Sequence, residues 1–288
     1  ITVSPVMSRL FHRVLNRRLL HSWPLSSRQK AFQSGDGLAD NIWLIKSLIN
    51  KKKQDRKKLN LTFVDVSKAF DSVSHQSLIR AASRMGTPPL LLNYLSDLHN
   101  DCRVHIKTDK GLSEPIHVGR GVRQGDPMSP MLFNAVIDMV VGGIDGSIGV
   151  TGDEQSQTKC NYAAFADDLL LMSGTDIGMQ VLLQQLETAM ADVGLVMNPA
   201  KCASMRTEVI SSNKLWIVNP EPYLKVQATE VKALSIIDTY RYLGVQIGPR
   251  MEFVSVTEKI QKSLHSISRA PLKPCQRLYI LRTHLIPS

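Results

Sequence analysis

The 288 residues predict an α+β fold, and three observations predict it. Two helical patterns come first and make an α-rich N-terminal lobe. Downstream, strand candidates fall in neighbouring pairs that suit antiparallel hairpins. Helices and strands then follow in an irregular order that does not suit a doubly wound parallel sheet. Hydrophobic residues make up 43% of the chain, enough for one large core or two lobes sharing one, which excludes disordered and collagen-like classes.

The segment from Val6 to Leu20 has apolar residues at helical spacing. Arg9, His12, Arg13, Arg17 and Arg18 interrupt it too often for a membrane span or a signal-peptide core, so it reads as a basic amphipathic helix. Gly35-Asp36-Gly37 marks a turn, and Leu38 to Asn50 predicts a second helix. The basic run from Lys51 to Lys58 reads as a loop, open between a solvated loop and a nucleic-acid contact, with a nuclear-import signal as a third reading. Residues 59–66 alternate as a strand does.

Helices are expected at 74–85, from Pro89 to His99, at 127–141 and at 176–193. Residues 103–107 and 115–118 suit one hairpin, 160–166 and 169–173 a second, and Tyr240 to Ile247 a further strand. From Phe253 the pattern turns helical again, with Pro271 and Pro274 separating two pieces; there is no internal repeat and no low-complexity tract.

Lys plus Arg number 35 against 25 acids, giving a formal charge of +10, which favours a polyanionic partner through phosphate contacts. Cys102, Cys160, Cys202 and Cys275 are scattered, with neither zinc-site nor disulfide spacing, so no structural zinc is expected and a reducing setting is the simpler reading. Ile1 in place of methionine and an uncapped Ser288 lead us to expect a piece of a longer protein.

The strongest local signal is Phe165-Ala166-Asp167-Asp168, between Tyr162-Ala163-Ala164 and Leu169-Leu170-Leu171-Met172. Apolar flanks on both sides predict a tight hairpin in a buried sheet. Two adjacent carboxylates there repel and lose hydration, a cost that a divalent cation offsets. Asp65 ends its own strand, and if the two strands are neighbours it converges with Asp167. Hard oxygen ligands of this kind suit Mg²⁺. Two such ions would activate a primer 3′-hydroxyl and stabilise a leaving pyrophosphate, which is nucleotidyl-transfer chemistry. Each part also has a plainer reading. An Asp-Asp pair is common at turns, Asp71 suits a helix cap or nearby backbone N–H groups, and His75, His99, His105 and His117 lack consistent ligand spacing.

The run Phe63-Val64-Asp65-Val66-Ser67-Lys68-Ala69-Phe70-Asp71-Ser72-Val73 resembles motif A of reverse transcriptases, and Phe165-Ala166-Asp167-Asp168 resembles motif C. Gly119-Arg120-Gly121-Val122-Arg123-Gln124-Gly125-Asp126-Pro127-Met128-Ser129-Pro130-Met131-Leu132-Phe133-Asn134 resembles motif B. Residues 194–202 are similar to motif D, Tyr240 to Val245 to the primer-grip motif E, and residues 1–20 and 33–48 to the early fingers motifs, so the likeness covers nearly the whole chain. Motifs A and B are most similar to non-LTR retrotransposons, especially the lineage with a restriction-like endonuclease that includes elements inserted in ribosomal RNA genes. Group II intron maturases compete, although they usually carry Tyr where this chain has Phe165.

The resemblance implies a right-hand polymerase: an antiparallel-sheet palm, α-rich fingers and the start of a helical thumb. It divides the chain into partial fingers at 1–60, motif A of the palm at 61–72, a fingers and palm insertion at 73–118, the rest of the palm at 119–252 and the thumb from 253 to 288. It implies that Asp65, Asp167 and Asp168, with the Val66 carbonyl, hold two Mg²⁺ ions, for which Mn²⁺ substitutes. Phe70 takes the position of the ring that excludes a ribose 2′-hydroxyl. Gln124 and Gly125 line the nucleotide or template, Arg123 contacts template or phosphate, and Lys201 matches a lysine that gives a proton to pyrophosphate. Tyr242, Leu243 and Gly244 hold the primer end. The partners implied are an RNA template, a DNA primer or target and deoxynucleoside triphosphates, with no membrane and a nuclear place of action. The chain departs from the family in lacking the Arg-Pro that usually precedes Ile1, the basic fingers residues that grip the triphosphate and most of a thumb. An RNA-binding scaffold without catalysis and a palm-like nucleotide cyclase are the competing classes. Retained acids argue against the first, and Gln124, Gly125 and Phe70 against the second.

Overall fold

The computed structural model describes residues 4–100, 102–109, 111–151, 159–210, 215–250 and 254–285, with side chains at 254–259 and 284–285 set aside. The chain divides into two units, Ile1–Pro249 and Arg250–Ser288, each described by itself.

In the larger unit, α1 (Val6–Ser22) begins after Pro5 and buries Leu19 and His12. Helix α2 (Gly37–Gln54) is capped by Asp36, whose side chain accepts from Ala39 N, and it buries Ile42, Ile45, Leu48 and Ile49. It runs further than its apolar pattern predicts. Lys51, Lys52 and Lys53 form its last turn, so only the end of the basic run is turn or loop. Cations there face the negative end of the helix dipole. Lys52 is buried as well, following Leu48 and Ile49 at helical spacing, so its methylene stem extends the apolar stripe.

Strand β1 (Asn60–Val64) is buried throughout. The short α3 (Ala69–Ser72), α4 (His75–Arg84, capped by Ser74) and α5 (Pro89–Asn100) follow. The next stretch is a pair of nested hairpins: β2 (Arg103–Val104) pairs with β5 (Ile116–His117), and β3 (Lys107–Thr108) with β4 (Gly111–Leu112). Helix α6 (Ser129–Val141) starts two residues later than predicted, because Asp126 Oδ1 accepts from Met128 N and holds the preceding residues as a turn. Beyond it come β6 (Val150–Thr151) paired with β7 (Lys159–Cys160), β8 (Tyr162–Phe165), β9 (Asp168–Ser173) and α7 (Asp176–Asp192), capped by Thr175. The unit ends with β10 (Ala203–Ile210), β11 (Leu215–Asn219), β12 (Lys225–Val226) paired with β13 (Thr229–Glu230), β14 (Lys232–Ala233), β15 (Tyr240–Tyr242) and β16 (Val245–Ile247).

The central sheet has the order β11-β10-β1-β9-β8, antiparallel throughout, with β14 added parallel to β10. Alternate strand residues face opposite sides. Val64, Leu169 and Leu171 enter the main core with α4, α6 and α7. Leu61, Phe63, Leu170 and Met172, also buried, lie outside that cluster on the other face, where the Phe63 ring stacks on Tyr240 at 4.5 Å. The strand expected at 240–247 is in fact a hairpin, Tyr242 pairing with Val245. Leu243 and Gly244 turn it with φ of 49° and 82°, the left-handed backbone that tight hairpins use.

A buried polar cluster ties α1 to the loop before α6. His12 Nδ1 meets Asp126 Oδ2, and His12 Nε2 lies 2.6 Å from the Tyr94 hydroxyl on α5. With its proton on Nδ1, the ring donates to the carboxylate and accepts from the phenol. The four cysteines are free. No described helix is long and apolar enough to cross a membrane.

The smaller unit consists of α8 (Val254–Arg269), α9 (Pro274–Ile280) and a π-helical turn, Leu281–Leu285. Pro271 lies between its two helices, as the sequence predicts, whereas Pro274 opens α9 instead of separating the pieces; Phe253, the predicted start, lies outside the described residues.

Candidate active site at the end of the central sheet

Strands β1 and β9 are neighbours, which is the condition on which the convergence of the acids rested. Continued one step past Val64↔Leu169, their register sets Asp65 opposite Asp168. Asp167 follows Ala166 in the two-residue loop between Phe165 and Asp168, and Ala166 is left-handed, with φ of 54°. The three acids therefore share one end of the sheet.

Their electrostatics follow from that placement. Burial raises the Asp167 carboxyl, and the charge of Asp65 raises it further. Burial also pushes Asp168 up to about 6, with additional contributions from Asp167 and Asp65. Asp168 is nevertheless exposed by surface area, so water reaches one side of its carboxylate while packed protein lies behind the other. Like charges brought together beside a core are stabilised by a counter-cation. Among the described residues, no group of three or more His, Cys, Asp or Glu side chains is placed to hold a metal ion by itself. An open set of carboxylates suits Mg²⁺, which is held by one or two carboxylates and completes its shell with water and substrate phosphates.

The Val66 carbonyl fits the same picture. Ser67 N donates to Val196 O at 2.8 Å and Asn198 N to Asp65 O at 2.9 Å, so Val66 and Met197 form a bridge that uses their neighbours' backbone groups. Val66's own N–H and C=O consequently turn away from 196–198, toward the side where β9 lies. Lys201, on the segment that follows, is 67% exposed and brings its Nζ to 3.8 Å from Asp65 Oδ2. That is a loose surface ion pair.

The segment that follows Asp65 is joined to a second loop. Gly121 N donates to Val73 O at 2.7 Å and Val122 N to Phe70 O at 2.8 Å, lacing the 119–125 loop to the one that follows β1. Gly121 is there because a Cβ would fall 2.9 Å from the Asp71 backbone. Asp71 does not cap a helix, one of the two roles expected of it. It lies within α3, and its Oδ1 accepts from Gln124 Nε2 at 2.7 Å, so the two side chains hold one another across the loops. Gly125 is exposed with φ of 105°, a backbone that glycine adopts freely. Phe70 is half-buried, stacked on Phe133 of α6 with ring centroids 4.4 Å apart. Arg123 points elsewhere: its Nη2 donates to Leu98 O at 2.8 Å, a contact at the C-terminal turn of α5.

Tyr242 lies under the acids, 2% exposed, with its hydroxyl 3.5 Å from Asp168 O. Burial, then Asp168, raises its pKa, and burial pushes Tyr240 up to about 12. Both phenols stay neutral, and Tyr242 donates. Leu243 and Gly244 form the tip of the same hairpin. Sequence reasoning missed Gln29 and Asn41, two buried amides on the outer side of β8. Asn41 Nδ2 donates to Ala164 O at 3.2 Å, and Gln29 Oε1 accepts from Ala166 N at 2.9 Å. Nothing in their local sequence distinguishes them from surface amides, since β8 reaches them only in the folded chain.

Residues 1–247 match the family model described as reverse transcriptase (RNA-dependent DNA polymerase). Over its whole length the chain is 34% identical to the retrovirus-related Pol polyprotein from type-1 retrotransposable element R2 of Nasonia vitripennis. It is 33% identical, again over its whole length, to that from type-2 retrotransposable element R2DM of Drosophila melanogaster. It spans 28% and 27% of those proteins. A solved structure of telomerase from Candida tropicalis, in complex with a fragment of telomeric RNA, superposes with a TM-score of 0.52 at 12% identity, covering 91% of this chain and 41% of that one. This last likeness is one of fold.

Proposed function

The chain belongs to the reverse transcriptase family, and from that premise we propose that it is the fingers-and-palm part of an RNA-directed DNA polymerase from a non-LTR retrotransposon. The observation that carries the reading is the convergence of Asp65, Asp167 and Asp168 at one end of an antiparallel sheet. Whole-length similarity to R2 polyproteins supports the non-LTR lineage over a group II intron maturase. The raised carboxyls weigh against a scaffold without catalysis, which would gain stability by losing them. In such an element the substrates are deoxynucleoside triphosphates, the template the element's RNA and the primer nicked chromosomal DNA in the nucleus.

Asp65, Asp167 and Asp168, with the Val66 carbonyl, would hold divalent cations, taken as two Mg²⁺ ions that Mn²⁺ can replace. Such cations would supply a lowered pKa at a primer 3′-hydroxyl and neutralisation of charge on the phosphates. The chain's own residues do the rest. Tyr242 packs beneath the acids and, with Leu243 and Gly244, places the primer end. Gln124, held by Asp71, and Gly125 present a narrow, backbone-lined surface to the incoming nucleotide. Arg123, which donates to Leu98 O on α5, steadies that loop and contacts template or phosphate from it. Lys201, close to Asp65, carries a proton that it can give to departing pyrophosphate.

Phe70 sets the sugar preference in this reading, because its ring is fixed by Phe133 and cannot swing away from a 2′-hydroxyl. Phe70→Ala should increase ribonucleotide incorporation relative to deoxynucleotide by about 10- to 100-fold, the scale on which a pocket discriminates one small group. Single-nucleotide extension of a DNA primer on an RNA template, with each triphosphate in turn, measures it. Unchanged discrimination would remove Phe70 from the nucleotide site.

A further inference from the structure

We infer that Gln29 is a positioning residue for the active-site hairpin: its buried side-chain amide holds Ala166 in the left-handed conformation that aims Asp167 and Asp168. The inference rests on the polymerase reading of those two acids. Gln29 is 0% exposed. Its Oε1 accepts from Ala166 N at 2.9 Å and from Ala31 N at 3.1 Å, while its Nε2 reaches Ala166 O at 3.5 Å. The same amide thus meets both backbone polar groups of the residue that turns the hairpin.

The backbone around Gln29 makes that reach possible. Strand β8 ends the sheet, and its outer side would be an open edge. Residues 28–30 lie along it in a parallel bridge: Lys30 N donates to Ala164 O at 3.0 Å and Ala164 N to Arg28 O at 3.1 Å. Gln29 is thereby fixed alongside Ala164, with its side chain extended to the turn.

The chemistry explains why the residue is glutamine. Ala166 has φ of 54°, which glycine adopts freely and alanine does not, so the turn needs holding from outside. Ala166 is itself buried, and its N–H requires an acceptor. An apolar side chain at position 29 would leave two backbone N–H groups unpaired. A carboxylate would accept from both but bring a fourth acid toward Asp65, Asp167 and Asp168. A neutral acceptor of this length meets both demands.

Gln29→Met keeps length and volume while removing the acceptor, and Gln29→Glu restores it. We would measure amide hydrogen exchange across 163–168, binding of Mn²⁺ alone by electron paramagnetic resonance, and kcat and KM for a deoxynucleotide in primer extension. For Gln29→Met the expected result is exchange at 163–168 about tenfold faster, with α6 and α7 still protected. Mn²⁺ binding should weaken several-fold, and kcat should fall by about 100-fold with little change in KM, as misplacement of reacting groups produces. Gln29→Glu should recover the protection and part of the kcat. Three results would overturn the inference: unchanged exchange at 163–168 in Gln29→Met, faster exchange spread evenly over α6 and α7, or a glutamate variant whose 163–168 amides exchange as fast as those of Gln29→Met. If the unsubstituted protein itself made no DNA, the polymerase reading would fail, while the exchange measurement would still decide whether Gln29 holds the turn.

Discussion

His12→Ala is expected to destabilise the larger unit by about 3–5 kcal/mol, the usual result of leaving a buried carboxylate without its hydrogen-bond partner. His12 is 1% exposed and Asp126 is 5% exposed, so the substitution leaves a carboxylate inside the protein. One of its oxygens still accepts from Met128 N, but the other loses His12, and Tyr94 loses the acceptor for its hydroxyl. Net stabilities of about 5–15 kcal/mol make this a large fraction of the whole. The melting temperature should fall by roughly 10 °C. Adding Asp126→Asn to His12→Ala removes the uncompensated charge and keeps an oxygen for Met128 N, so the double variant should melt higher than His12→Ala alone. Thermal unfolding of the four proteins in the cycle checks this. A double variant less stable than either single one would show that packing, not the stranded charge, sets the cost.

Asp168→Asn should pull activity and stability in opposite directions. Loss of a carboxylate from the active site is expected to lower primer extension by about a thousandfold or more, a barrier increase of roughly 4 kcal/mol. The same change should stabilise the metal-free fold. Burial raises Asp168 from an ordinary value of 3.8 to about 6, and Asp167 and Asp65 add to the shift. An acid whose pKa is raised by folding costs stability once it ionises. The cost is absent below the unfolded value, develops as pH rises through the 4-to-6 window and is complete above it. Asparagine never ionises and avoids it. Because water reaches Asp168, the benefit is discounted for screening to about 1 kcal/mol at pH 8. It should disappear near pH 4. Melting curves of both proteins at pH 4, 6 and 8 in chelator test the sign. A stabilisation that did not depend on pH would mean that folding does not raise the Asp168 carboxyl.

Much of the architecture is legible in the sequence because its signals are local. Ser74 and Thr175 cap α4 and α7 where a capping residue precedes an apolar period, and the flanks of Asp167 announce a buried hairpin. The acids could be grouped from sequence because residue type and strand position both pointed to one sheet end. Where reading failed, a non-local partner decided. Lys51, Lys52 and Lys53 look like a loop until Lys52 is seen lying along the stripe of Leu48 and Ile49. Asp71 looks like a cap, yet its partner Gln124 stands on a distant loop. Leu243 disguised the hairpin at 240–247, since a leucine with positive φ is a poor turn signal; only Gly244 marks it. Arg123 has a partner that its local sequence does not show, Leu98 O on α5. Gln29 gave no signal at all, because its task exists only once β8 lies beside it.

The central claim is that these acids catalyse DNA synthesis on an RNA template. The most direct test is extension of a DNA primer on an RNA template with deoxynucleotides and Mg²⁺, comparing the chain, a version extended at both ends, and the Asp167→Ala, Asp168→Ala double variant of each. The account predicts metal-dependent extension by the longer protein at least, abolished by the double substitution while template binding persists. An extended protein that binds RNA but makes no DNA, or one whose synthesis survives loss of both acids, would contradict it.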